Sequence, residues 1–290
     1  SLRCTEGYER IAEVAATMPD TRLVYVADRE ADIVGLMQRG HALGNPADWL
    51  IRSKHNRCLP EGGKLWAAVL AGAPLGEIEF MMASRHGQAA RMVHQQIFAR
   101  SVRLDDGQGR QLSVTCLIAK ETGAPDGVKP VEWRLLTNRA AQTLDDLIEL
   151  IEWYRCRWEI ETFFNVLKNG CRVEALQLGS VGKIELALAV YMVVSWRLAR
   201  LVRLGRTHPD LAATELFTDE EWKGAYILAK KPVPKTTPTL REVIRRIAML
   251  GGFLARKGDG EPGVKTLWLG FARIRDFVDG VEHMRSINAI

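Results

Sequence analysis

Four side chains that bind phosphate or metal ions lie within one short stretch of the sequence, WYRCRWEIETFFNVLKNG. They are a phenol, a guanidinium, a carboxylate and an ammonium group, at Tyr154, Arg157, Glu161 and Lys168. Successive residues of an α-helix turn by about 100°, so these four would lie within an arc of about 60°. A carboxylate there could hold a divalent cation while its neighbours hold phosphate oxygens, which points to phosphodiester chemistry. The alternative is a surface ion pair between Arg157 and Glu161.

The helix that carries these residues is expected to begin near Thr143, whose hydroxyl can cap it, and to end at Gly170. Asp145 and Asp146 suit the positive end of its dipole. The side opposite the reactive residues is expected to be buried, through Ile160, Phe163, Val166 and Leu167. One face of the helix is therefore predicted to serve chemistry and the other to pack on the core.

A second candidate carboxylate, Asp28, follows an apolar stretch. The unbroken apolar run from Leu23 to Ala27 is typical of a strand buried on both faces. Asp28 comes at the carboxyl end of that strand, which is where α/β proteins place their ligands. The alternative is that Asp28 only caps the next helix.

The order of the elements predicts an α/β fold. A short helix ending at Gly40 separates the Leu23 strand from another at Trp49 to Arg52. This order requires a right-handed crossover and two parallel strands. The residues that follow are rich in β-forming types, at Glu77 to Met81, Arg91 to Leu104, Leu112 to Ile118 and Glu132 to Thr137. Asp105 to Gly107 mark a hairpin turn between the second and third of these strands.

The composition is that of a soluble globular protein with a basic excess. The 290 residues are 47% hydrophobic, and 40 Lys and Arg against 35 Asp and Glu give a net charge of +5. That excess favours a polyanionic partner. Five cysteines without a C-x-x-C pair argue against a disulfide framework or a zinc ribbon and indicate reduced thiols in a cytosolic protein. The longest apolar run, Ile184 to Trp196, is too short to span a bilayer.

Together the two stretches resemble the DDE transposases of the insertion-sequence 4 group, to which the Tn5 transposase belongs. That group carries a Y-x2-R-x3-E-x6-K signature, which Tyr154 to Lys168 match in every spacing, and a D-R-E-A-D motif, which Asp28 to Asp32 match. The resemblance implies an α/β protein with a partial RNase H-like core, a β-rich insertion and a helical carboxyl-terminal region. It divides the chain into core residues 1–60, a β insertion at 61–140, the signature helix of the core at 141–180 and helices for dimerisation at 181–290.

The resemblance also implies the site residues and partners. Asp28 and Glu161 would be the catalytic carboxylates and the ligands of Mg²⁺ or Mn²⁺. Residues expected to hold DNA and to line the same cleft are Tyr154, Arg157, Lys168, Arg52, Lys54 and Trp133. The partners would be transposon-end and target DNA and a second copy of the chain, in the bacterial cytoplasm at the nucleoid, with no membrane.

Trp133 has two interpretations. The family stacks a flipped DNA base on a tryptophan of its β insertion, and Trp133 matches that position, with Arg52 matching an arginine that packs there. Trp133 would then lie at an edge of the insertion, facing the cleft. The alternative is an ordinary core aromatic on a strand.

One departure from the family concerns its first catalytic Asp, which lies on an earlier strand. Asp20 is at the entrance of the Asp28 strand, about seven peptide rises from the far end, and could not reach the same metal. The chain is therefore expected to be the carboxyl-terminal part of a transposase and to be inactive alone. The full-length reaction would be metal-dependent cleavage of transposon ends followed by strand transfer. The alternatives are a non-catalytic product that binds DNA or intact transposase, and an unrelated α/β protein.

Overall fold

The computed structural model describes residues 2–82 and 90–288, and the chain divides into two compact units, Ser1–Arg157 and Trp158–Ile290. The first unit is built on a six-stranded sheet. Its strands are β1 (Val24–Ala27), β2 (Asp48–Arg52), β3 (Gly76–Met82), β4 (Arg91–Asp105), β5 (Gln111–Thr122) and β6 (Glu132–Thr137). They are hydrogen-bonded in the order β1-β2-β6-β5-β4-β3.

The strand pairings confirm the predicted topology. β1 and β2 are parallel, with Val26 opposite Leu50, as a strand, helix, strand crossover requires. β4 and β5 form the predicted hairpin, and Asp105 and Asp106 accept the backbone N–H groups of its turn. β6 pairs antiparallel with both β2 and β5. The β-rich segment therefore continues the sheet of β1 and β2. The four-part division of the chain stays a prediction, because a shared sheet does not decide which functional module each strand serves.

Helices cover both faces of this sheet. On one face lie α1 (Leu2–Thr17), α2 (Val34–Ala42) and α3 (Leu65–Leu70), which pack against inward residues such as Trp49 and Ile51. On the other face α4 (Leu144–Cys156) packs against Leu50 and Leu135. Neighbours along a strand point to opposite faces, so Leu50 and Ile51 belong to different cores.

The expectation that the first strand is buried on both faces is wrong. All four residues of β1 are only half-buried. The cause is its position at one end of the sheet, where β2 is its one partner among the described strands. Its apolar residues therefore pack on helices above and below, but one long edge is not covered by another described strand.

The second unit is helical. It consists of α5 (Trp158–Asn165), a π-helical turn (Val166–Gly170), α6 (Val181–Thr207), α7 (Asp219–Leu228), α8 (Leu240–Leu250) and α9 (Val264–Asn288). α8 and α9 approach closely at two glycines. A Cβ on Gly251 would lie 1.9 Å from the Thr266 carbonyl oxygen, and one on Gly270 would lie 1.9 Å from the Ile247 carbonyl oxygen. Only glycine fits at these two positions.

α6 is buried along one side of its carboxyl-terminal half, through Ser195, Leu198, Leu201, Val202 and Gly205. Its amino-terminal half exposes many apolar side chains. None of the described helices is long and apolar enough to cross a membrane.

Candidate active site

Asp28 lies where β1 ends, as the sequence predicts. Its Oδ1 accepts the backbone N–H of Arg29 at 2.8 Å, so the residue does cap the short 3₁₀ turn that follows. Its Oδ2 lies 3.7 Å from Nη2 of Arg157, and the Asp28 side chain remains 45% exposed. The carboxylate therefore has a local structural role and is also accessible to a ligand.

Arg157 reaches Asp28 because α4 carries it along the sheet. Thr143 caps α4 by accepting the N–H of Asp146, whose carboxylate accepts the N–H of Thr143 in return. Buried residues on one side of the helix, Leu147, Leu150, Ile151 and Tyr154, hold it on the sheet. The aspartate motif and the start of the tyrosine-arginine signature are thus brought together within the first unit.

The expectation that Tyr154 lines an open cleft is wrong. It is buried in the core beneath α4, with its ring 6.3 Å from that of Trp133. Its hydroxyl has no hydrogen-bond partner among the described residues. The ring is buried because α4 places Tyr154 on the same side as Leu147 and Ile151, so packing determines its direction.

The prediction of one uninterrupted signature helix is also wrong. α4 ends at Cys156, Arg157 follows as a turn, α5 begins at Trp158, and the segment closes with the π-helical turn. Val166 and Leu167 are buried as predicted, but Ile160 is exposed and Phe163 is only half-buried. The constant turn of about 100° per residue does not continue through such breaks, so an angular argument over the whole stretch fails.

Glu161 and Lys168 belong to the second unit. Glu161 is exposed in the first turn of α5. Lys168 lies in the π-helical turn, where its Nζ is 3.3 Å from Oε1 of Glu174, and both side chains are largely exposed. An exposed pair of this kind contributes about 0–1 kcal/mol, so Lys168 can exchange Glu174 for a phosphate group at little cost.

Arg52 and Trp133 share one face of the sheet. Arg52 is opposite Leu135 in the β2–β6 register, and Trp133 is two residues before Leu135, so the two side chains are diagonal neighbours. The half-buried indole of Trp133 stacks on Phe80, with ring centroids 5.4 Å apart. Trp133 lies on β6, the strand of the predicted insertion that pairs with β2, so it is at an edge of the insertion but inside the six-stranded sheet. Its role in base stacking stays a prediction.

Asp32, the last residue of the aspartate motif, has a role that the sequence did not suggest. It is 1% exposed, and its Oδ2 accepts the backbone N–H groups of Lys54 and His55 at 2.6 and 2.8 Å. Its Oδ1 lies 2.6 Å from Nη1 of Arg57. Asp32 therefore fixes the loop that follows β2 and carries the exposed side chain of Lys54. No local feature of the sequence signals this role, because the partners of Asp32 come from a separate loop.

The chain matches two protein-family models over nearly its whole length. A model of the transposase DDE domain matches residues 11–196, and a model of the transposase Tn5 dimerisation domain matches residues 193–290. The chain belongs to the DDE transposases. Its function is DNA transposition, and its domains are those of a polynucleotidyl-transferring enzyme that binds DNA and dimerises. The predicted family and the RNase H-like α/β fold are confirmed.

DDE transposases use divalent metal ions, and the donors in this transposase suit them. Asp28 offers a hard, accessible carboxylate whose Arg157 neighbour, at 3.7 Å, is too distant for a hydrogen bond. Glu161 offers a second exposed carboxylate. Such oxygens are the ligands that Mg²⁺ and Mn²⁺ prefer. Across residues 2–82 and 90–288, no group of three His, Cys, Asp or Glu side chains is arranged to hold a metal ion.

Proposed function

We propose that this transposase carries out the reaction of the insertion-sequence 4 group, the cleavage of transposon ends and their transfer to target DNA. Asp28 and Glu161 serve as the carboxylate ligands of Mg²⁺ or Mn²⁺. The observation that best supports this is the position of Arg157, whose guanidinium lies 3.7 Å from the Asp28 carboxylate. Two motifs far apart in the chain therefore meet where a phosphate could bind beside a metal ligand.

The chain's own residues hold the DNA. Asp28 and Glu161 would hold the divalent cation, which would supply Lewis-acid activation of a water or 3′ hydroxyl and charge neutralisation at the scissile phosphate. Arg157 and Lys168 position phosphate oxygens by charge-assisted hydrogen bonds. Arg52 and Lys54 extend this phosphate contact from β2 and its loop. Trp133 receives a base flipped out near the transposon end.

We further propose that the 290 residues alone do not complete the reaction. A site with two metal ions needs more carboxylate ligands than Asp28 and Glu161 provide. Asp20, the candidate for a third, lies in the turn between α1 and β1, at the opposite end of the strand from Asp28.

The test is DNA cleavage by the chain alone and by a version extended upstream in its reading frame. Each is incubated with Mg²⁺ or Mn²⁺ and a duplex carrying the terminal repeat. We expect nicking by the extended protein only, and its loss in Asp28→Asn and Glu161→Gln. Glu159→Gln, a neighbouring exposed acid of α5, is the matched control and should retain activity. Nicking by the 290-residue chain itself would contradict the second proposal.

A non-catalytic role in association with intact transposase is the second candidate. It is supported by the match of residues 193–290 to the dimerisation domain. Adding the chain to an active, upstream-extended protein should then reduce cleavage through mixed dimers, in proportion to the amount added. Unchanged cleavage at a large excess of the chain would exclude this role.

A further inference from the structure

Four exposed side chains follow one line along the carboxyl-terminal half of α6. They are Trp196, Arg200, Arg203 and Thr207, and we refer to them as the arginine stripe. Their spacing of four, three and four residues places them within an arc of about 60° on a helix. The buried side of α6, which includes Leu198, Leu201 and Gly205, faces the opposite direction. The arginine stripe therefore points away from the core of the second unit.

The stripe carries positive charge without compensation. Residues 196–208 include four arginines and neither Asp nor Glu. Arg197 donates two hydrogen bonds to Glu221, at 2.7 and 2.9 Å. Within the described part of the chain, by contrast, Arg200 and Arg203 form no ion pair. The arginines of α8 all have acidic partners, since Arg241 and Arg245 share Glu261 and Arg246 pairs with Glu242.

The local packing gives the stripe a defined shape. The Arg200 guanidinium lies over the Trp196 ring, 5.3 Å from its centroid, which limits the orientations of this long side chain. A shallow depression of about 320 Å³ at the end of the helix is lined by Arg200, Arg203, Leu204, Thr207 and His208. Thr207 Oγ1 lies 2.9 Å from Nδ1 of His208. The depression therefore combines cationic and polar groups with the apolar side chain of Leu204.

We propose that the arginine stripe is a DNA-binding surface that contacts the phosphate backbone of duplex DNA. From Trp196 to Thr207 the stripe extends roughly 16 Å along the helix axis, at ~1.5 Å per residue. One DNA strand carries a phosphate about every 3.4 Å of its axis, so two arginines a turn apart can contact neighbouring phosphates. Backbone contacts do not read sequence, so transposon-end and unrelated duplexes should bind this surface equally. The proposal rests on the DNA binding of the family and not on the metal chemistry proposed above.

The test measures affinity for an unrelated duplex in EDTA at several salt concentrations, using the full 290-residue chain. Arg200→Ala and Arg203→Ala should each lower the slope of log K against log salt by about one unit, and the double variant by about two. The double lysine variant, Arg200→Lys with Arg203→Lys, keeps the charge and should keep most of the slope. Arg275→Ala is the control for loss of one exposed arginine, since Arg275 pairs with Asp279 on α9.

Two results would overturn the inference. The first is a double alanine variant that binds DNA with the parent's salt dependence. The second is a double alanine variant that changes the dimer dissociation constant in sedimentation, because the stripe would then face a second copy of the chain. Neither measurement depends on cleavage, so a failure of the proposed metal chemistry would leave the result for the arginine stripe unchanged.

Discussion

Nη1 of Arg57 lies 2.6 Å from Oδ1 of Asp32, and the Asp32 side chain is fully buried. This ion pair joins the turn after β1 to the loop after β2. The same turn and loop carry Asp28 and Lys54, the residues proposed to bind metal and phosphate. The ion pair should therefore raise the free energy of unfolding of the first unit and hold this turn and loop in a fixed conformation.

Arg57→Ala should strongly destabilise the first unit, because the variant leaves a buried, charged Asp32 without its cation. Removing one partner of a buried pair costs about 3–5 kcal/mol. Arg22→Ala is the matched control, since it removes an arginine from a pair with Asp48 in which the Arg22 side chain is 56% exposed. That change should cost about 0–1 kcal/mol. Urea unfolding followed by tryptophan fluorescence gives the free energy of unfolding of both variants. An equal loss of stability in the two would show that the Asp32 carboxylate does not need Arg57 as its partner.

Arg157→Ala and Lys168→Ala should weaken DNA binding through lost phosphate contacts. Each is expected to reduce the slope of log K against log salt by about one unit. Lys223→Ala is the control, because Lys223 is a partly exposed lysine of the second unit that pairs with Asp219. If all three variants keep the parent's salt dependence, Arg157 and Lys168 serve only structural ion pairs.

Trp133→Ala should abolish stacking of a flipped base. A 2-aminopurine placed near the transposon end should brighten when it leaves the duplex and then dim as it stacks on the indole. Because Phe80 already stacks on Trp133, the base is expected on the other face of the ring. Trp66→Ala is the control, since Trp66 packs on the opposite side of the sheet with Arg134 over its ring. Persistent dimming in Trp133→Ala would assign Trp133 to the core.

The Cys116 thiol should resist alkylation in the native protein. Burial raises the pKa of Cys116 to about 12, whereas Cys58 and Cys156 are exposed. At pH 8 iodoacetamide should label the two exposed thiols first, as mass spectrometry can show. As the pH rises, the Cys116 thiol stays protonated to a higher pH in the native state than in the unfolded chain. Its contribution to stability should therefore decline from about pH 8.5, the unfolded pKa, towards pH 12. Labelling of Cys116 as fast as that of Cys58 would contradict this.

Most strands were predictable from the sequence because their signals are local. The apolar run from Leu23 to Ala27 and the alternation from Arg91 onwards each report on a few consecutive residues. Asp105 to Gly107 likewise specify a turn without reference to the rest of the chain. The family resemblance predicted that Asp28 and Arg157 would belong to one site, and their side chains lie 3.7 Å apart.

The remaining features depend on tertiary contacts that no local pattern encodes. Asp32 is structural because its partners, the backbone of Lys54 and His55 and the side chain of Arg57, come from another loop. β6 joins the sheet of β2 through long-range pairing. The break at Arg157 has no glycine or proline to mark it, so periodicity alone continued the helix through it.

The π-helical turn at Val166–Gly170 has a consequence for how this chain can evolve. A π turn holds one residue more than an α turn, as though one amino acid had been inserted into a regular helix. Deleting a residue between Glu161 and Lys168 would allow regular α-helical hydrogen bonding, but it would turn Lys168 by about 100° relative to Glu161. The shortened helix could therefore be more stable, but the Lys168 side chain would no longer point in the same direction as in this chain. Length changes in this segment should be tolerated by the fold more readily than by transposition.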